Sequence, residues 1–179
     1  MKQIPEVEIR HDAAEIRERV EKLARRLDQR LKGQEILVVG VLKGSAMFLS
    51  DLVRSLETPS RFEFIDVDRQ DESDGAGEPR IAIRFFRHFS VANHHVLVLK
   101  DVVNTGVVEG YLLSQLRSQG PKSLALACVI DRPAARRMSL EVDEALFVEP
   151  EDQKWVGYGL DFGDGSFAHR ANLGILKPV

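Results

Sequence analysis

The sequence predicts an α/β fold: a twisted, mostly parallel sheet with helices on both faces. Three observations carry this expectation. Ile36-Leu37-Val38-Val39-Gly40-Val41 is a continuous, largely β-branched run of the kind found in strands buried on both faces. The same order of buried strand, short polar loop and helix recurs over residues 95–118. A third apolar run, residues 123–130, ends on Asp131-Arg132-Pro133.

The elements follow in order. Ile16, Val20, Leu23, Leu27 and Leu31 recur at helical spacing, while Arg17, Glu18, Glu21, Lys22 and Arg25 mark the opposite face. Lys32-Gly33 supplies the stop. After the first buried strand, Leu42-Lys43-Gly44-Ser45 is a loop, and residues 46–56 read as a helix with Phe48, Leu49, Leu52 and Val53 inward. Residues 95–99 read as a strand, 100–106 as a polar loop and 107–118 as a helix stopped by Gly120-Pro121. Between these halves, the segment 66–78 holds six acids and one arginine. Its Ser73-Asp74-Gly75 chemistry is that of a loop: either a solvated hairpin tip or a mobile acidic lid over about residues 66–80. Residues 81–86 read as the returning strand. No repeat or linker divides the chain, so one domain over residues 1–179 is expected.

Composition narrows the function classes. A net charge of −3 and a pI near 6.0 argue against nucleic-acid binding, which needs a basic surface. The acidic segment 66–78 contributes −5 of that balance and the remaining residues +2, so bulk charge is no guide to a local anion site. No apolar run approaches a membrane span and the first residues lack a signal-peptide core, so no membrane association is expected. A single cysteine excludes an intrachain disulfide, and the expected location is cytoplasmic.

In an open parallel sheet, ligands bind beyond the C-terminal strand ends. Three such ends carry polar residues: Lys43-Gly44-Ser45, residues 100–106, and Asp131-Arg132. Two lead directly into helices, whose first-turn amides attract anions. Asn104-Thr105-Gly106 is small enough for backbone amides to close around a phosphate. Together the loops suggest a phosphate-bearing ligand.

Residues 36–45, 96–106 and 155–161, the last reading Trp-Val-Gly-Tyr-Gly-Leu-Asp, resemble hypoxanthine-guanine phosphoribosyltransferases in order and spacing. The third motif is the most specific, because it marks the purine branch. The resemblance implies the type I phosphoribosyltransferase fold, with a small hood built from N- and C-terminal segments. It also implies Mg²⁺-dependent transfer of phosphoribose from phosphoribosyl pyrophosphate to an oxo-purine, giving a purine nucleotide and pyrophosphate. On this basis Lys43, Gly44 and Arg170 are expected on pyrophosphate, with a non-proline cis peptide at Leu42–Lys43. Asp101 is expected at a ribose hydroxyl, Thr105 and Gly106 at the 5′-phosphate, and Arg132, Trp155, Val156 and Asp161 at the purine. Asp161 and Asp101 are the expected Mg²⁺ ligands, and a homodimer or homotetramer is the expected assembly.

Four departures fall within that site. Lys100 stands where the family has glutamate, Asn104 where it has the acid/base aspartate, and Val108 where it has a phosphate-binding threonine. Val67-Asp68-Arg69-Gln70 stands where a Ser-Tyr pair precedes the mobile loop. An amide cannot act as a general base at neutral pH. Because such catalysis contributes about 10²–10⁴-fold, its loss lowers turnover without abolishing it. The competing expectation is a catalytically impaired nucleotide-binding regulatory or partner protein on the same fold. Plainer readings stand beside several of these residues: Lys43 as surface, Trp155 as core and Asp161 as a turn cap. Cys128 reads as core, His94-His95 as a turn, Arg136-Arg137 as solvated or a partner contact, and Asp152 carries no special role.

Overall fold

A computed structural model describes residues 6–70, 80–85, 89–161 and 166–177. Nine strands and three helices alternate along them: β1 (Val7–His11), α1 (Ala13–Leu31), β2 (Ile36–Val41), α2 (Ala46–Ser55), β3 (Ser60–Gln70), β4 (Arg80–Phe85), β5 (His95–Val103), α3 (Val107–Arg117), β6 (Ser123–Asp131), β7 (Glu144–Val148), β8 (Trp155–Val156) and β9 (Leu173–Leu176). A 3₁₀ turn, Pro133–Ala135, follows β6. No described helix is long and apolar enough to cross a membrane.

Six strands form the main sheet in the order β4-β3-β2-β5-β6-β7. All its pairs are parallel except β3–β4. Every residue of β2 is buried, as its apolar run requires. Leu97 and Leu99 face the core made with α1 and α2, whereas Val96 and Val98 face that made with α3. The strand's alternation thus separates two cores, one on each face of the sheet. All five residues of the α1 stripe are buried. Asp12 caps α1 by accepting the Glu15 N–H at 2.8 Å, and Lys32 ends it in the left-handed region.

Two boundaries differ from the sequence reading. β5 continues through Lys100 to Val103, where a polar loop was expected, because Val102 and Val103 pair with Ile130 and Asp131 of β6. The second is the acidic segment read as a loop or lid over about residues 66–80: β3 runs through Gln70 and β4 starts at Arg80, because residues 66–70 pair antiparallel with 80–84, and residues 71–79 lie outside the described residues.

A smaller antiparallel sheet, β1-β9-β8, joins the two ends of the chain. It docks on the α1–α2 side, where Trp155, Tyr158, Leu160 and Leu173 enter that core. His11 pins the junction: its ring stacks on Phe147 at 3.7 Å, and its two nitrogens meet Glu15 and Glu149.

Asp28, near the end of α1, accepts the backbone N–H groups of Thr58 (2.9 Å) and Glu57 (3.2 Å) ahead of β3. Burial pushes its carboxyl up, but these hydrogen bonds outweigh it and hold the group below the ordinary aspartate value of 3.8. Asp28→Ala is therefore expected to lower stability by about 1 kcal/mol at pH 7, measured by urea unfolding. The folded-state pKa is the lower one, so this difference is present above about pH 4 and fades as pH falls through the folded value.

Candidate active site

The order of the main sheet reverses direction between β2 and β5, and their C-terminal ends open the crevice expected of such a switch point. The loop after β2 begins with a cis Leu42–Lys43 peptide, at the bond that the resemblance named. Gly44 then passes directly over Asp101 on β5: a Cβ there would collide with the Asp101 carboxylate and lie 2.7 Å from its Cβ. From the other side, Gly159 leans on the Gly44 carbonyl at φ +91°, so a side chain there is excluded by both space and backbone. Between Gly157 and Gly159, Tyr158 donates to Asp51 at 2.8 Å. Burial, then that carboxylate, pushes its phenol far above the ordinary range. The loop after β2 is thus pressed between Asp101 on β5 and the turn at Gly159.

Two clefts, each of about 270 Å³, open beside this junction. The first is lined by Leu42, Lys100, Asn104, Thr105, Val108 and Glu109, among others. Gly106 caps α3 from the left-handed region, so the first-turn amides of the helix border this cleft. The second is lined by Asp101, Arg132, Asp152, Trp155 and Asp161, among others. Val102 and Asn104 line both clefts, so one elongated ligand spanning them passes over the end of β5.

The charges are tightly placed. Lys100 Nζ pairs with Asp101 Oδ1, which also accepts the Val102 N–H at 2.8 Å. Arg132, 8% exposed, donates to Asn104 Oδ1 at 2.9 Å and to Asp152 Oδ1 at 2.8 Å. Its Nε is buried with no acceptor among the described residues, a donor suited to a ligand carbonyl. Asp101 and Asp161 offer hard oxygen donors in one cleft. They suit a Mg²⁺ ion that completes its shell with substrate oxygens and water. Among the described residues no group of three His, Cys, Asp or Glu side chains forms an all-protein metal site.

Several expected residues stand elsewhere. Arg170 lines neither cleft: its carbonyl accepts the Tyr158 N–H, its guanidinium lies over the Phe167 ring, and it faces a separate cleft with Arg17, Met47 and Arg54. Lys43 is exposed at the rim. Trp155 lines the second cleft but is only 6% exposed, with its indole nearly parallel to His11 at 5.9 Å. It is therefore largely a core residue. Val156 is fully buried, with its backbone paired to Gly174. Cys128 is buried and free; burial, then the Asp131 charge, pushes its thiol well up.

The sequence reading missed two supports. Arg136 is not solvated: it donates to Val103 O (2.8 Å) and Asn104 O (2.5 Å) and pairs with Asp131, clamping the end of β5 to β6. Asp152, given no role, holds Arg132 from the far side. The Arg136–Asp131 pair is local, but the contacts of Arg136 with Val103 and Asn104 and of Asp152 with Arg132 are made across the fold, so nothing in the local sequence marks them.

The comparisons with known proteins agree with this geometry. Residues 8–163 match the phosphoribosyl transferase domain. The hypoxanthine-guanine phosphoribosyltransferase of Bacillus subtilis is 30% identical over 92% of this chain and 90% of its own length. The chain belongs to the phosphoribosyltransferase family, in its purine branch. The bifunctional protein TilS/HprT of Listeria innocua is 34% identical over 92% of this chain, but the chain spans only 25% of that relative's length. A solved structure of Trypanosoma cruzi hypoxanthine phosphoribosyl transferase superposes with a TM-score of 0.85 at 30% identity, covering 99% of this chain and 94% of that one.

Two substitutions test the geometry. Gly44→Ala is expected to displace Asp101 and destabilise the protein by about 1–3 kcal/mol, measured by denaturant unfolding. Arg136→Ala leaves Asp131 half-buried without its cation, at an expected loss of about 3 kcal/mol in the same measurement.

Proposed function

We propose that this protein transfers the phosphoribosyl group of phosphoribosyl pyrophosphate to a 6-oxopurine, releasing pyrophosphate. The observation that carries this reading is the pair of clefts joined at Val102 and Asn104, one bordered by the phosphate-type loop and the other by buried donors. The 5′-phosphate lies on Thr105, Gly106 and the first-turn amides of α3, whose dipole favours an anion. Pyrophosphate lies along Lys43 and Gly44, and the ribose hydroxyls reach Asp101. The purine occupies the second cleft, where Arg132 donates to its oxo group and Asp161 closes the far side. Asp101 and Asp161 would hold a Mg²⁺ ion, which would supply positive charge toward the pyrophosphate.

Asn104 holds no proton for the base. Its carbonyl accepts from Arg132, so it orients that arginine. Val108 offers the phosphate no hydroxyl. The reaction then relies on alignment and electrostatics, and turnover is lower than an aspartate at 104 would give. Arg170 is left out of this set, because it faces the cleft beside α2. A homodimer or homotetramer in the cytoplasm fits the buried free thiol and the exposed Phe62 and Met47. It also fits the relative from T. cruzi, whose structure addresses its own oligomeric state.

Purified protein with Mg²⁺, phosphoribosyl pyrophosphate and hypoxanthine or guanine is expected to release pyrophosphate, and Asn104→Asp to raise kcat by about 10²–10⁴-fold. Release from neither protein would overturn the reading.

A further inference from the structure

We propose that Lys100 is a movable cation with two carboxylate seats, Asp101 and Glu109. Glu109 is then a positioning residue that receives the ammonium when a phosphoribosyl diphosphate claims Asp101. The inference rests on the phosphoribosyl reading above and extends it to a residue which that reading leaves unused.

Glu109 is an acid at a core position. It precedes Leu112, Leu113 and Leu116 by three, four and seven residues, which places it on the buried stripe of α3, and it is 6% exposed. Lys100 is its counterpart on the sheet. It continues the β5 face of Val96 and Val98, which packs against that same helix stripe. The two residues line one side of the phosphate-type cleft together, and both border the tightly packed apolar space beneath it, with Val98, Leu112, Leu113 and Leu126. Lys100 is the sole basic residue among the described residues lining either space. Cys128, which pairs with Lys100 in the sheet register, feels both acids: Glu109 and Asp101 each push its thiol up, after burial and Asp131.

Burial makes a nearby cation valuable to Glu109, and among the described residues lining these two spaces Lys100 is the one that can supply it. Yet the ammonium pairs with Asp101 Oδ1. A lysine has a flexible stem and a point charge that rotates freely among acceptors, so moving between the seats costs no fixed hydrogen-bond geometry. Ribose hydroxyls are donors and compete directly with the ammonium for Asp101. Glu109 gives the displaced charge a place to go.

Calorimetric titration of the full chain with phosphoribosyl pyrophosphate and Mg²⁺ tests this, alongside Glu109→Gln, Glu109→Leu and Lys100→Met. Wild type is expected to bind. Both Glu109 variants are expected to weaken binding about tenfold, the scale of one charge-assisted interaction, with KM for the purine unchanged. Glu109→Leu completes the leucine stripe, so it is expected to raise Tm while lowering affinity, a split that a purely structural role would not produce. Adding Lys100→Met to Glu109→Gln is expected to recover wild-type affinity, because Asp101 is then free. Wild-type affinity in the Glu109 variants, or simple additivity with Lys100→Met, would overturn the inference and leave the phosphoribosyl reading intact. Absence of binding by the wild type would overturn both.

Discussion

The close approach of three backbones around Asp101 is the constraint on which the site depends. Gly44 crosses over the carboxylate, Gly159 leans on the Gly44 carbonyl, and neither position admits a Cβ. This junction fixes the loop after β2 against the end of β5 and seats the small sheet on both. Tyr158 extends it to α2 through Asp51, and Gly157 extends it to the strand at the C-terminal end, where Asn172 lies against its Cβ direction. The positions of both clefts follow from it, because each takes one wall from β5 and another from a loop that the junction holds.

The end of β5 is also where this chain's chemistry is distinctive. An uncommon number of committed contacts converge on four residues. Lys100 neutralises Asp101, Arg132 occupies the Asn104 carbonyl, and Arg136 holds the Val103 and Asn104 carbonyls from below. The result is a nearly charge-balanced edge in place of an acidic one. Such an edge positions substrates well and moves protons poorly, which is why alignment and electrostatics rather than acid–base chemistry carry the proposed reaction.

Much of the architecture was legible because buried parallel strands and amphipathic helices announce themselves by local pattern. β2, α2, α3 and β6 fall within a residue or so of their expected bounds, and α1 ends at its expected stop. The three polar strand-end loops were read from their positions in a parallel sheet, whereas the cis bond at Leu42–Lys43 came from resemblance to a family. What could not be read depends on contacts distant in sequence. β5 runs on through Val103 because β6 lies beside it to accept the pairing. Arg136 and Asp152 act on residues about thirty and twenty positions away, and Arg170 turns aside because Phe167 and Tyr158 hold it. Glu109 was legible in principle: an acid three, four and seven residues before leucines of one stripe is a signal in the sequence itself.

The most direct test of this account is a crystal structure with inosine 5′-monophosphate. Its 5′-phosphate is expected within hydrogen-bonding distance of Thr105 and the Gly106 amide, with the purine oxo group at Arg132 and the ribose passing over Val102. A nucleotide seated instead in the cleft of Arg17, Arg54 and Arg170, or bound at the β5 end with its base and phosphate exchanged, would contradict it.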